Sequence, residues 1–340
     1  MANLTPKENY MRLTRGECPE YVPIYTMMQI PGMPPVAASM FSPSILGAFR
    51  GPQGGIDPWG VKYVTSESTN NGAIPEPNNF ILDDITRWRD VLKKPDYSHV
   101  DWEALAKKDL EMSGIDPTQT ALVLNAQAGV FQELVAFMGF TEGLCAMYEE
   151  PEEVKAMFDF ITDVYLETQN AFMDYYKPDI YYILDDSATQ KNPFISLDMF
   201  REFLMPYYKK MAKPAIDRGI PIQFHNCGRC EDFLDDMVND LGVRIWDPAQ
   251  TMNDLAAIKK KYGNKLAMVG GWDFKVPDSW PEVDEEWVRS TVRHSIDTLA
   301  PGGGYAFSGA VLGEAGDETT MKVNGWVADE AEKYGRQFYK

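Results

Sequence analysis

The sequence is poor in cysteine and histidine and has no long apolar run. Four cysteines in 340 residues are too few for a disulfide framework and point to a reducing, cytoplasmic setting. No stretch approaches the roughly 20 apolar residues of a membrane-spanning helix. The opening MANLTPKENYMRLTRGE lacks the apolar core of an export signal, so none is expected. Cations are outnumbered: 32 Lys and Arg against 51 Asp and Glu leave a formal charge of −19. A surface that acidic repels phosphate backbones and anionic lipid, which excludes nucleic acid and membrane as default partners. No strand candidate runs through GxGxxG into a helix, so a dinucleotide fold has no support. Gly302, Gly303 and Gly304 precede a strand instead and form a tight turn.

What is present is an ordinary globular mixture, 44% apolar and 24% charged, enough for a sizeable core. YVPIYTM (21–27) reads as a first strand. From residue 120 onward short apolar runs alternate with helical stretches: ALVLN (121–125), DIYYILDD (179–186), IPIQFHN (220–226), VRIWD (243–247), KLAMVGG (265–271) and GYAFSG (304–309). Helices of crossover length separate these runs, and each run is apolar nearly throughout, as in parallel strands covered on both faces. The count favours a (β/α)8 TIM-type barrel occupying residues 1–340 as a single domain. Residues 28–120 are proline-rich, with WGVKYVT as one strand candidate. They read as an irregular insertion or lid over a barrel mouth.

In a parallel barrel, reactive groups gather at the carboxyl ends of the strands. Those ends carry Tyr25, Asn125 with Gln127, Asp185 with Asp186, His225 with Cys227, Asp247, Trp272 with Asp273, and Ser308. The sharpest local signal is FHNCGRC (224–230). His225 and Cys227 are two apart, so both project from one side of a strand end. Imidazole nitrogen and thiolate sulfur are ligands that zinc prefers. Cys230 completes a C-x-x-C pair, which could close a metal site or pack as a buried thiol. Asp185 and Asp186 are placed for general acid or base work, or for fixing a substrate, with Gln190 in the following loop. A helix-capping role for one of the two is the alternative. His99 and His294 read as surface residues. Met27, Met28 and Met33 crowd the exit of the first strand, where soft side chains could shape a pocket.

Many ordered segments together resemble the uroporphyrinogen decarboxylase superfamily: RLTRGECPEYVPIYTMMQ, DPWGVKY, MGFTEGLCAMYEEPEEVKAM, LDDSATQKNPFISLDMFREFLMPYYKKM, the run from FHNCGRC to GGWD, and PGGGYAFSGA. The resemblance spans nearly the whole chain and implies a (β/α)8 barrel. For true decarboxylases it implies an arginine-rich motif, MRQAGR, after the first strand. Here that stretch is Met27-Met28-Gln29-Ile30-Pro31-Gly32, and neither Met28 nor Gly32 can supply the carboxylate-binding fork of an arginine. The resemblance is closer to the zinc-dependent, corrinoid-linked methyltransferases, which carry His-x-Cys at this strand and a second cysteine near the last one. His225 and Cys227 match, but Tyr305–Ala310 contains no cysteine, so Glu314 or Cys230 is the expected third ligand. The implied activity moves a methyl group between a small substrate (methyl ether, methylamine or thiol type) and cobalamin. The corrinoid would ride on a partner protein, since no Asp-x-His-x-x-Gly stretch occurs here. Asp185, Asp186 and Gln190 would orient the substrate, with Tyr25, Met28, Trp59, Asn125 and Trp272 lining its pocket. Porphyrinogen decarboxylation, or a barrel that binds a small molecule or tetrapyrrole without turnover, are the alternatives.

Overall fold

Period-two alternation organises the centre of the molecule. The computed structural model describes residues 4–29, 36–47, 51, 53–66, 72–126, 129–313 and 316–339. Its strands are β1 (Tyr25–Thr26), β2 (Ala38–Phe41), β3 (Gly55–Ile56), β4 (Lys62–Val64), β5 (Ile74–Pro75), β6 (Ala121–Asn125), β7 (Ile180–Leu184), β8 (Ile222–His225), β9 (Ile245–Ala249), β10 (Ala267–Gly270) and β11 (Tyr305–Ala306). Eight of them form one parallel sheet in the order β1-β2-β6-β7-β8-β9-β10-β11. Tyr25 N donates to Phe307 O at 2.9 Å and Phe307 N to Pro23 O at 2.9 Å, which joins the last strand to the first. The fold is therefore a closed (β/α)8 barrel, as the strand count predicts.

Alternate residues face opposite sides of the barrel wall. Ala38, Ala121, Ala267 and Ala306 put small side chains into the lumen, and Tyr25, Val123, Ile180, Tyr182, Ile245 and Val269 fill the remaining space. The intervening residues, among them Leu122, Leu124, Tyr181, Ile183, Phe224, Trp246 and Met268, pack outward in the larger cluster with the helices. Helix α1 (Pro6–Thr14), opened by a Thr5–Glu8 capping box, inserts Tyr10 and Leu13 into the lumen cluster. It closes the amino end of the barrel.

The proline-rich segment at 28–120, expected as an irregular insertion or lid with WGVKYVT as one strand candidate, also holds part of the barrel wall. Ala38–Phe41 within it is a barrel strand lying between β1 and β6. Four residues of mixed Ala, Ser, Met and Phe have no β-branched run to announce a strand; pairing on both edges makes them one. The rest includes the three-stranded antiparallel sheet β3-β4-β5, in which WGVKYVT supplies β4, and helix α2 (Trp102–Ser113). The helical stretch after β6 is divided into α3 (Val130–Met138), α4 (Phe140–Glu149) and α5 (Pro151–Tyr176). Gly139, at φ +83°, and Pro151 at the first position of α5 provide the breaks. No single helix among the described residues is long and apolar enough to cross a membrane.

Candidate metal centre

β7 and β8 pair with Leu184 opposite His225, so the loops that leave them start at the same level of the barrel mouth. Alternation points His225 into the lumen alongside Gln223, while Asp186 follows β7 from the neighbouring position. The Cys227 backbone N–H donates to Asp186 Oδ1 at 2.7 Å and ties the two loops together. Cys227 Sγ then lies 3.4 Å from His225 Nε2, and Asp186 Oδ1 lies 3.6 Å from the same nitrogen. One oxygen, one nitrogen and one sulfur all fall within 4.8 Å of one another.

The other side of the imidazole is equally ordered. Tyr182 Oη is 2.7 Å from His225 Nδ1 and donates to Asp247 Oδ2 at 2.8 Å. A carboxylate only accepts, so the single phenolic proton goes to Asp247 and the tyrosine oxygen accepts from Nδ1–H. That tautomer leaves the Nε2 lone pair facing Cys227 and Asp186. A buried phenol backed by a buried aspartate is the outer-shell support that ligating histidines ordinarily have. Burial opposes a charge on His225, but Asp247 and Cys227 outweigh it and hold the imidazole pKa well above its usual value. The cation favoured here in the metal-free chain is a proton on Nε2, which a bound metal would displace. A metal fits here: three lone-pair donors of mixed softness converge within 4.8 Å of one another. Tyr182→Phe or Asp247→Asn is expected to weaken metal affinity about 10- to 100-fold without unfolding the chain, as measured by competition with a chromophoric chelator.

Residues 125–310 match the family model for uroporphyrinogen decarboxylase (URO-D). The chain belongs to this family. A solved structure, a methyltransferase from Methanosarcina mazei, is similar to it with a TM-score of 0.65 at 14% identity, covering 98% of this chain and 100% of its own. At that identity the likeness shows the fold. No curated protein matches.

Within this URO-D family member the sequence-predicted residues separate by position. Asp186, His225 and Cys227 come together. Asp185 turns away from them: it is fully buried, accepts from Phe131 N at 3.0 Å, Gln132 N at 2.9 Å and Tyr208 Oη at 2.8 Å, and so caps α3. This is the capping role, directed at the preceding helix. Cys230 is buried with its thiol on the Asn226 carbonyl, 3.4 Å away, and burial pushes its pKa up. It stands outside the group of three converging donors. Glu314, Gln127 and Met33 lie outside the described residues.

Trp59 is corrected from pocket wall to core. It packs edge-on against Phe137, Phe160 and Tyr165 at 5.9–6.2 Å, because the loop that carries it lies over α3 and α5 rather than over the barrel mouth. Met28 and Gln190 are exposed. Tyr25 sits deeper in the lumen, stacked at 6.3 Å on Tyr10. Trp272 packs on Phe274 and Phe307 and donates to Thr291 Oγ1 at 3.0 Å. Asn125 lines a cavity at the mouth, with Gln132 beside it. Tyr182 and Gln132 escaped the sequence reading. Tyr182 is interior to an apolar strand, where only the two-residue spacing to Leu184 marks its face, and Gln132 carries no local signal.

The loop that presents Cys227 needs a glycine. Gly228 has φ +96°, and a Cβ there would meet Thr189 O at 2.5 Å. Gly228→Ala is expected to cost about 2 kcal/mol and to displace the thiol; urea denaturation and the cobalt(II) absorption of the site read the two effects separately.

Proposed function

We propose that this chain is a methyltransferase of the URO-D family, moving a methyl group between a small substrate and cobalamin carried on a separate corrinoid protein. Zinc would be held by Asp186, His225 and Cys227, with Asp186 in the place expected of Glu314 or Cys230. The carrying observation is the convergence of those three donor atoms within 4.8 Å at the carboxyl ends of β7 and β8, where barrel enzymes do their chemistry. The shared barrel of the Methanosarcina mazei methyltransferase supports the reading.

Bound there, zinc supplies Lewis acidity, making a thiol or hydroxyl a better nucleophile or a methylated heteroatom a better leaving group. The protein residues prepare the place. Tyr182 and Asp247 set the imidazole tautomer, and the Cys227 N–H orients Asp186. Porphyrinogen decarboxylation is disfavoured because Met28, exposed at the exit of β1, offers no charge to a polycarboxylate.

The test is metal analysis of the purified chain, expected to give about one zinc per chain, together with transfer of methyl to cob(I)alamin followed by the cobalt absorption change. Zinc-free protein that decarboxylates uroporphyrinogen would overturn the reading.

A further inference from the structure

The lumen of the barrel is lined mostly by alanine, valine and isoleucine, yet three tyrosines join its two ends. Tyr10 comes from α1, Tyr25 from β1 and Tyr182 from β7, and all three are buried. Tyr10 Oη donates to Gln223 Oε1 at 3.3 Å, and its ring stacks on Tyr25 at 6.3 Å. The Tyr25 hydroxyl in turn hydrogen-bonds with Gln223 and with Tyr182. Met27 Sδ touches the upper two phenols, 3.6 Å from Tyr25 Oη and 4.0 Å from Tyr182 Oη. Burial holds the pKa of Tyr10 and of Tyr25 well above the ordinary phenol value, so each keeps its single proton for donation.

Counting protons gives the direction of these bonds. Tyr182 gives its only proton to Asp247 and accepts Nδ1–H of His225. Its oxygen keeps a second lone pair, for which Tyr25 O–H is the neighbouring donor. A phenol oxygen is a better acceptor than the Met27 thioether. Two donors on one oxygen fix where that oxygen lies, and this oxygen orients the imidazole. We propose that Tyr25 is a positioning residue for His225, acting through Tyr182, and that Tyr10 extends the support to α1. The helix that closes the amino end of the barrel thereby reaches the donor group at the mouth. The purpose of this support rests on the methyltransferase reading, whereas the hydrogen bonds themselves belong to the chain alone.

Imidazole NMR of the full chain with isotope-labelled histidine tests it, alongside zinc titration against a chromophoric chelator. The chain has three histidines, of which His99 and His294 are exposed. The ring N–H signals protected from exchange in the metal-free chain therefore belong to His225, and Nδ1–H is the one held by Tyr182. Tyr25→Phe removes one hydroxyl and is expected to move the Nδ1–H resonance and to weaken zinc binding about fivefold, the worth of one hydrogen bond. Tyr10→Phe is expected to move the resonance in the same direction by less. Leu13→Ala is the control, since it removes lumen packing from the same helix and takes no hydrogen bond away. It is expected to lower the urea midpoint while the resonance stays in place and zinc affinity stays within about twofold. An unmoved resonance or unchanged zinc affinity in Tyr25→Phe, or an equal movement in Leu13→Ala, would overturn the proposal. If the wild-type chain takes no zinc while the resonance still answers to Tyr25→Phe, the methyltransferase reading falls and the positioning role stands. If zinc binds and the resonance is unmoved, the positioning role falls and the metal reading stands.

Discussion

Replacing His225 by alanine is expected to empty the chain of zinc and to lower methyl transfer by about a thousandfold or more, roughly 4 kcal/mol of lost transition-state stabilisation. The nitrogen it removes stands 3.4 Å from Cys227 Sγ and 3.6 Å from Asp186 Oδ1, so the two remaining donors lose their common neighbour. The same substitution takes the imidazole Nδ1–H from Tyr182, which keeps its own hydrogen bond to Asp247. Cys227→Ser is expected to act in the same direction, because an alcohol is a poorer zinc ligand than a thiolate. Cys230→Ser is expected to keep the metal, since that thiol lies on the Asn226 carbonyl instead. Plasma mass spectrometry of each variant, with stopped-flow cobalt spectroscopy, measures both quantities. Full zinc occupancy in His225→Ala would remove the site from the account.

Asp185→Ala is expected to cost stability rather than chemistry, about 4 kcal/mol in urea denaturation. Two backbone N–H groups at the start of α3 and the buried Tyr208 hydroxyl lose their acceptor together. Burial raises the Asp185 pKa to about 7, although three hydrogen bonds from Phe131, Gln132 and Tyr208 pull it down, with Asp186 opposing them. The unfolded chain has the ordinary value near 4. The folded state therefore holds this proton more tightly than the unfolded one. Its contribution to stability is fully present below about pH 4 and is lost as pH rises through about 7. Asp185→Asn is expected to flatten that part of the stability–pH curve. A wild-type curve already flat between pH 5 and 8 would show that the carboxyl stays ionised.

Much of this was legible in the chain. Apolar runs such as ALVLN and IYYIL lie in the barrel wall where their composition puts them, since a strand covered on both faces needs little more than a short apolar run bounded by turns. The two-residue step from His225 to Cys227 marked the pair, although β8 ends at His225 and Cys227 is held by the loop through its N–H on Asp186. β2 was different: its four residues acquire strand character by pairing with β1, which is near in sequence, and with β6, which is far from it. Trp59 was indistinguishable from a pocket aromatic until the helices it covers were in place.

The amino-acid order by itself determined the barrel, the family and the nearness of His225 to Cys227, because a two-residue separation is a local property. Only the folded chain decided which of two adjacent aspartates joins them. Asp185 and Asp186 differ by a single residue, and period-two geometry sends one back to the start of α3 and the other towards His225. Which side each takes depends on how β7 pairs with β8, a contact made across some forty positions that no short stretch encodes.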